Sequence, residues 1–216
     1  ENLRAIETAD RVRESLKDAS ALVRARAAEA LGTWRIRKAA PDLLDLLKDE
    51  DPRACRAAAL ALAQLGEREA IPRMLPLLKK PQTAGGAIYP LRLLGATEAV
   101  PDFIELASDE RFAQDALSAL VNLHAREAVP KLLPLLKHPH LYVRNSAIIA
   151  LGELGADEAI PGLLELLEKD TSGYYVVSAL VDLRAVAAAD RLITLLQHEK
   201  ATIRGHAVDA LSQLGV

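Results

Sequence analysis

A short apolar motif headed by proline returns at nearly constant spacing along the chain, and this constrains the fold more than any other feature. It reads A-P-D-L-L-D-L-L at 40–47, A-I-P-R-M-L-P-L-L at 70–78, A-V-P-D-F-I-E-L-A at 99–107, A-V-P-K-L-L-P-L-L at 128–136 and A-I-P-G-L-L-E-L-L at 159–167. The prolines fall at 41, 72, 101, 130 and 161, and Asp190 takes the same place in a sixth copy, so the intervals are 31, 29, 29, 31 and 29. A second landmark seven residues earlier, running Trp34, Leu65, Leu94, Leu123, Leu154, Leu183 and Leu214, keeps the same intervals. Two registers in agreement mark a repeat array, in which each unit buries its apolar face on its neighbours.

Each unit reads as two helices. In the first, Val143, Ala147, Ala150, Leu151 and Leu154 share one helical face, and Gly155 ends the helix in the left-handed conformation that glycine tolerates. The second opens at Pro161, where the missing N–H costs nothing, and buries Leu163, Leu164, Leu166 and Leu167. Pro76 and Pro134, four residues past an opening proline, predict mild kinks. Alanine fills the first helices (Ala25, Ala27, Ala28, Ala30, Ala57, Ala58, Ala59 and Ala61), which lets helices approach closely and accounts for an aromatic content of only 3%. Around 81–94, Gly85, Gly86 and Pro90 stand where other units have helix formers. On propensity alone this predicts a helix beginning only near Pro90, an irregular 81–89 and Tyr89 filling the gap.

The composition closes several classes. Of 216 residues 50% are hydrophobic, enough for one domain or two small ones and too many for a disordered chain. A net charge of −3 is too balanced for a protein whose main task is to grip phosphates. Cys55 is the single cysteine and has no intrachain disulfide partner. No apolar run approaches the ~20 residues of a membrane span, and no basic-then-apolar leader is expected at the start. A chain that begins on Glu1 is expected to be cut from a longer one.

The pairs Val23-Arg24, Val143-Arg144 and Ile203-Arg204, the A-L-G-x-L-G ending of the first helix and the A-[IV]-P-x-L-x-x-L-L of the second resemble the HEAT-like repeats of the phycobilin-lyase type, from about Thr8 to Gly215. The resemblance implies an all-α, right-handed α-solenoid of about six two-helix repeats, a single array over 1–216 expected to be a segment of a longer one. In such repeats the arginines stack through loop carboxylates. Here Cys55 takes one arginine's place, flanked by Arg53 and Arg56, so that stack is expected to be discontinuous and Cys55 half-buried.

Fold alone does not name a function, because this architecture hosts scaffolds, lyases, hydroxylases and DNA-repair enzymes. Deoxyhypusine hydroxylase binds two irons through His-Glu pairs. The matching pairs here are Ala25-Arg26, Arg56-Ala57, Gly85-Gly86, Gln114-Asp115, Asn145-Ser146, Tyr174-Tyr175 and Gly205-His206, which exclude that chemistry. His138 and His140, His198 and His124 lie in different turns, about 20 Å apart at about 10 Å per packed layer, so no metal site is expected. A glycosylase needs a basic, aromatic-lined face. The second-helix columns Arg11, Asp42, Arg73, Asp102, Lys131, Gly162, Arg191 and Glu14, Asp45, Pro76, Glu105, Pro134, Glu165, Thr194 hold six acids, four bases and no aromatic residue. Opposite charges there are expected to pair laterally, and no nucleic acid to bind. No nucleophile elbow or Walker loop occurs.

The sequence therefore reads as a non-enzymatic, cytoplasmic protein-interaction scaffold with no catalytic residue, cofactor, metal or membrane. The alternative is a chromophore (phycobilin) lyase subunit or lyase-like protein, with a DNA-repair glycosylase-type enzyme behind it. Candidate partner-binding residues are Tyr174 and Tyr175 as aromatic anchors, and Arg73, Asp102, Lys131, Glu105 and Glu165 on the charged face. At the C-terminal end Ile203, Ala207, Val208, Leu211 and Leu214 form a stripe that lacks a following helix, and weak self-association through that edge is expected.

Overall fold

The structure, a computed structural model, describes residues 3–169 and 172–216. Its described residues form fourteen α-helices and no strand. The first of each pair are α2 (Ala21–Thr33), α4 (Pro52–Leu65), α6 (Pro81–Leu93), α8 (Ala113–Asn122), α10 (Leu141–Glu153), α12 (Gly173–Asp182) and α14 (Ala201–Leu214). Interleaved with them are the second helices α1 (Leu3–Glu14), α3 (Ala40–Leu46), α5 (Ile71–Leu78), α7 (Val100–Leu106), α9 (Val129–Leu132), α11 (Ile160–Glu168) and α13 (Ala189–Leu195). The architecture is the all-α solenoid type that the repeat predicts.

The chain divides into two compact units, Glu1–Asp102 and Phe103–Val216. In the first, α2 packs on α4 and α4 on α6, while α3 and α5 lie against α4 and α6. Leu31, Leu43, Leu62, Met74 and Leu91 are wholly buried there. In the second, α8, α10, α12 and α14 pack in succession, with α11 against α12 and α13 against α14. Phe103, Leu120, Leu132 and Ile148 fill that core.

Two glycine columns set the geometry of a repeat. A Cβ on Gly32 would stand 2.7 Å from the Cα of Ala61, and one on Gly152 would stand 3.0 Å from the Cα of Ala179. The glycine of A-L-G is therefore the contact at which neighbouring first helices meet backbone to backbone. Three residues on, the chain turns left-handed at Gly66, Gly95, Gly155 and Gly215 (φ 65 to 76°). The same column holds Arg35, His124 and Arg184 at φ 55, 51 and 48°. Each turn is locked by a bond from the next N–H to the carbonyl five residues back, as Ile36 to Leu31 (2.9 Å) and Ala125 to Leu120 (3.0 Å) show. At three of seven repeats the turn geometry prevails over the preference for glycine.

The propensity argument fails at α6, which runs unbroken from Pro81 to Leu93. Pro81 sits at the helix start, where its ring is at home. Burial of Ala84, Ala87, Ile88 and Leu91 against α4 and α5 then outweighs two glycines and Pro90. Tyr89 fills no gap: it is 49% exposed, with the Arg92 guanidinium 5.0 Å over its ring. Helix α5 continues through Pro76. Before Pro134, by contrast, α9 stops at Leu132 and tightens into a 3-10 segment, Leu133–Lys137.

Candidate functional site

Three arginines of the column close the loops before α2, α10 and α14. Arg24 donates to the Asp18 carbonyl (2.8 Å), Arg144 to that of His138 (2.7 Å) and Arg204 to that of His198 (2.8 Å). Cys55 Sγ donates to the Asp49 carbonyl at 2.9 Å, and Thr83 Oγ1 to that of Leu77 at 2.7 Å, so three side-chain types satisfy one backbone acceptor six residues back. Arg24 also clamps both oxygens of Asp49 (2.6 and 2.8 Å), which holds that carboxyl below its usual range. Arg144 and Arg204 bond carbonyls instead, and the stack is discontinuous as read. Cys55 is more deeply placed than half-buried, at 4% exposure. Burial pushes its thiol up, away from the reactive thiolate.

The charged second-helix face pairs laterally, but not along the columns expected. Arg11 turns back to Glu7 (3.2 Å), and Asp42 bonds Arg13 instead. Arg73 reaches Asp45 at 4.0 Å, and Asp102 pairs with Lys79 rather than with Arg73. In the second unit Glu165 is held by Lys169 (2.6 Å) and Lys137 (3.5 Å), which lowers its pKa, and Arg191 meets Glu168 at 2.6 Å. Long side chains such as Arg13, Lys79 and Arg191 reach obliquely to the neighbouring second helix, so the partner sits two to six residues away from the matching column position. Lys131 and Glu105 are exposed. The seven candidate residues thus divide between the units: Arg73 and Asp102 in the first, Glu105, Lys131, Glu165, Tyr174 and Tyr175 in the second.

Two grooves in the second unit carry chemistry. One, of about 520 Å³, lies between the 133–137 segment and α11, floored by Leu133, Leu136 and Leu166 with Lys137 and Lys169 at its rim. Gly162 lines it where other repeats have a charged residue, and Leu136 occupies the space left: a Cβ on Gly162 would stand 2.8 Å from Leu136 Cδ1. Arg144 lines it, and its buried Nε has no partner. The other groove, of about 310 Å³, runs across α8, α10 and α12 and is walled by Val121, Tyr142, Ile149 and Tyr175. Beside it Tyr174 is 77% exposed, its ring edge-on to Tyr175 at 5.5 Å.

Three of the histidines serve the turns, whereas His206 lies within α14 with its ring packed over Gly173. His138 and His198 accept backbone N–H bonds two residues on (3.2 and 3.1 Å), and His140 Nε2 meets Glu110 at 3.0 Å. Among the described residues, no group of three or more His, Cys, Asp or Glu is placed to hold a metal ion. No described helix is long and apolar enough to cross a membrane.

The sequence matches the family described as HEAT repeats over residues 9–89 and 100–180. No curated protein matches it. The CpcE–CpcF complex of phycocyanin lyase from Nostoc sp. PCC7120 is similar over 95% of this chain and 86% of that one, with 24% identity and a TM-score of 0.58. An engineered protein from a structural genomics consortium is similar over 95% of this chain and 68% of its own, with 19% identity and a TM-score of 0.55. At these identities the likeness shows the fold.

Proposed function

We propose that this chain, which belongs to the HEAT-repeat family, is a non-enzymatic scaffold that binds partner proteins through surfaces preformed by its stacked helices. One observation carries the reading: Tyr174 stands largely exposed on a regular helix, edge-on to Tyr175, beside a groove of mixed polar and apolar lining. A tyrosine held on a helix buries a large area with little rotamer loss, and a groove built from stacked helices needs little ordering on binding. The likeness to a complex of two proteins supports a protein partner. A single continuous array in the cytoplasm belongs to the same proposal. The test is capture from source lysate by the immobilised chain, wild type against Tyr174→Ala and Tyr175→Ala. Proteins retained by the wild type and lost by the variants, with thermal stability unchanged, support it. Equal retention overturns it.

A second reading, a lyase-like protein that handles a bilin, draws on the groove where Arg144 Nε lacks a partner above an apolar floor. A carboxylate on a flat apolar pigment fits that chemistry. Mixing the chain with bilin decides between the two: stoichiometric visible absorbance, lost in Arg144→Ala, favours this reading, and an unchanged bilin spectrum removes it.

A further inference from the structure

The first unit carries a third groove, of about 430 Å³, across α2, α4 and α6. Leu22, Tyr89 and Pro90 supply its apolar wall, and Arg26, Arg53 and Arg56 its charge. Arg26 is engaged by Glu29 at 2.7 Å and Arg53 by Asp51 at 2.8 Å. Arg56 has no carboxylate partner among the described residues; its Nε lies 3.3 Å from the Pro52 carbonyl. This local excess of guanidinium occurs on a chain whose net charge is −3, so it is a property of the groove rather than of the protein.

The Arg56 side chain is seated in this groove at a cost to the helix beneath it. Gly85 and Gly86 occupy the place of Arg56-Ala57 and Gln114-Asp115 in neighbouring repeats. A Cβ on Gly86 would stand 2.1 Å from Arg56 Cδ, so the missing side chain lets the Arg56 stem lie flat across α6. Leu22 and Tyr89 remain about half exposed on either side. Local rules broken inside an otherwise regular array are expected where a surface has a task.

We infer that this groove binds an acidic segment of a partner protein, with a leucine or phenylalanine of that segment seated between Leu22 and Tyr89 and its carboxylates on Arg26, Arg53 and Arg56. Guanidinium takes carboxylates in bidentate fashion, a geometry Arg53 already adopts toward Asp51. Glu29 pairs with Arg26 and Asp51 with Arg53, so Arg56 is the first guanidinium that an incoming carboxylate meets. The inference rests on the scaffold reading and adds a surface to it with a stated partner chemistry.

The test is fluorescence anisotropy of the 216-residue chain with a labelled peptide, Asp-Glu-Leu-Phe-Glu-Asp-Glu. Companion probes replace its acids by Lys or its Leu-Phe by Ser-Ser, and a uridine oligonucleotide serves as the nucleic-acid arm. Saturable binding of the acidic peptide is expected, weakened about tenfold or more by either peptide change, by Arg56→Glu and by Tyr89→Ala, and weakened by salt. Arg56→Gln should weaken it less, and circular dichroism should be unchanged throughout. Equal binding of the lysine peptide, tighter binding of the oligonucleotide, no saturation by the acidic peptide, or indifference to Arg56→Glu overturns the inference. Tyr174→Ala should leave the titration unaltered. If that variant loses its lysate partners while the acidic peptide fails to bind, this inference falls and the scaffold reading stands.

Discussion

Helices α4 and α6 occupy the same place in successive repeats and are written in opposite ways. In α4, Asp51 caps the start by accepting the Arg53 N–H at 2.8 Å, alanines and leucines fill the body, and Gly66 closes the end. In α6 the cap position is Lys80 with no side-chain bond, two glycines follow, and Pro90 interrupts the ladder. Yet both are helical throughout, and Leu62, Ile88 and Leu91 are all at most 1% exposed. The contrast teaches that helix formation in a stacked array is decided by the apolar face laid against neighbours, with propensity a small correction. Freed from that correction, α6 can carry a glycine where the Arg56 side chain lies across it.

The largest test compares core truncations. Leu62→Ala in α4 and Leu91→Ala in α6 should each cost about 2–5 kcal/mol in urea unfolding, because both sites are closed on all sides. A much smaller cost at Leu91 would break the equivalence. Next comes an exchange at matching positions, since Ala61 lies 29 residues before Pro90. Ala61→Pro should cost about 3 kcal/mol or more, while Pro90→Ala should raise stability by about 1–2 kcal/mol, the regained ladder bond being partly offset by lost ring packing.

A smaller effect sharpens the same contrast at the helix ends. His124→Gly and Arg184→Gly should each stabilise by about 0.5–1 kcal/mol and Gly155→Ala destabilise by a similar amount, read as shifts of the urea midpoint. The smallest is acid sensitivity. The hydrogen bonds from Arg53 hold the Asp51 carboxyl down at about 2, and Asp49 is lowered by Arg24. Folded-state values depressed in this way give stability that is present above the unfolded carboxylate range near 4 and is lost as pH falls through about 2. Acidification should therefore loosen the start of α4 before that of α6, and the Arg53 amide resonance should titrate with a midpoint of about 2.

Most of the architecture was legible because period, proline and glycine mark repeat boundaries directly. The prolines at 41, 72, 130 and 161 do open their helices. Left-handed turns at Arg35, His124 and Arg184 were not legible, since they leave no glycine to announce them. The charged face was read correctly in sign but not in partner. Column alignment treats helices as flush, whereas Arg13 and Lys79 reach Asp42 and Asp102 obliquely. Gly85, Gly86 and Pro90 were the visible signal of the first-unit groove. They read as weakness because sequence shows what a helix lacks before it shows what packs beneath it. The Tyr174-Tyr175 pair stood out by residue type alone; its exposure and edge-on geometry needed the fold.

The central claim is that packing on α4 and α5 holds α6, and with it the groove. Hydrogen exchange resolved to single amides tests this most directly. The account predicts that amides at 84–89 and at 91 exchange within about tenfold of those at 55–62, the protection of a core helix. Exchange of 81–89 at the rate of an unstructured chain, with α4 protected, would contradict it.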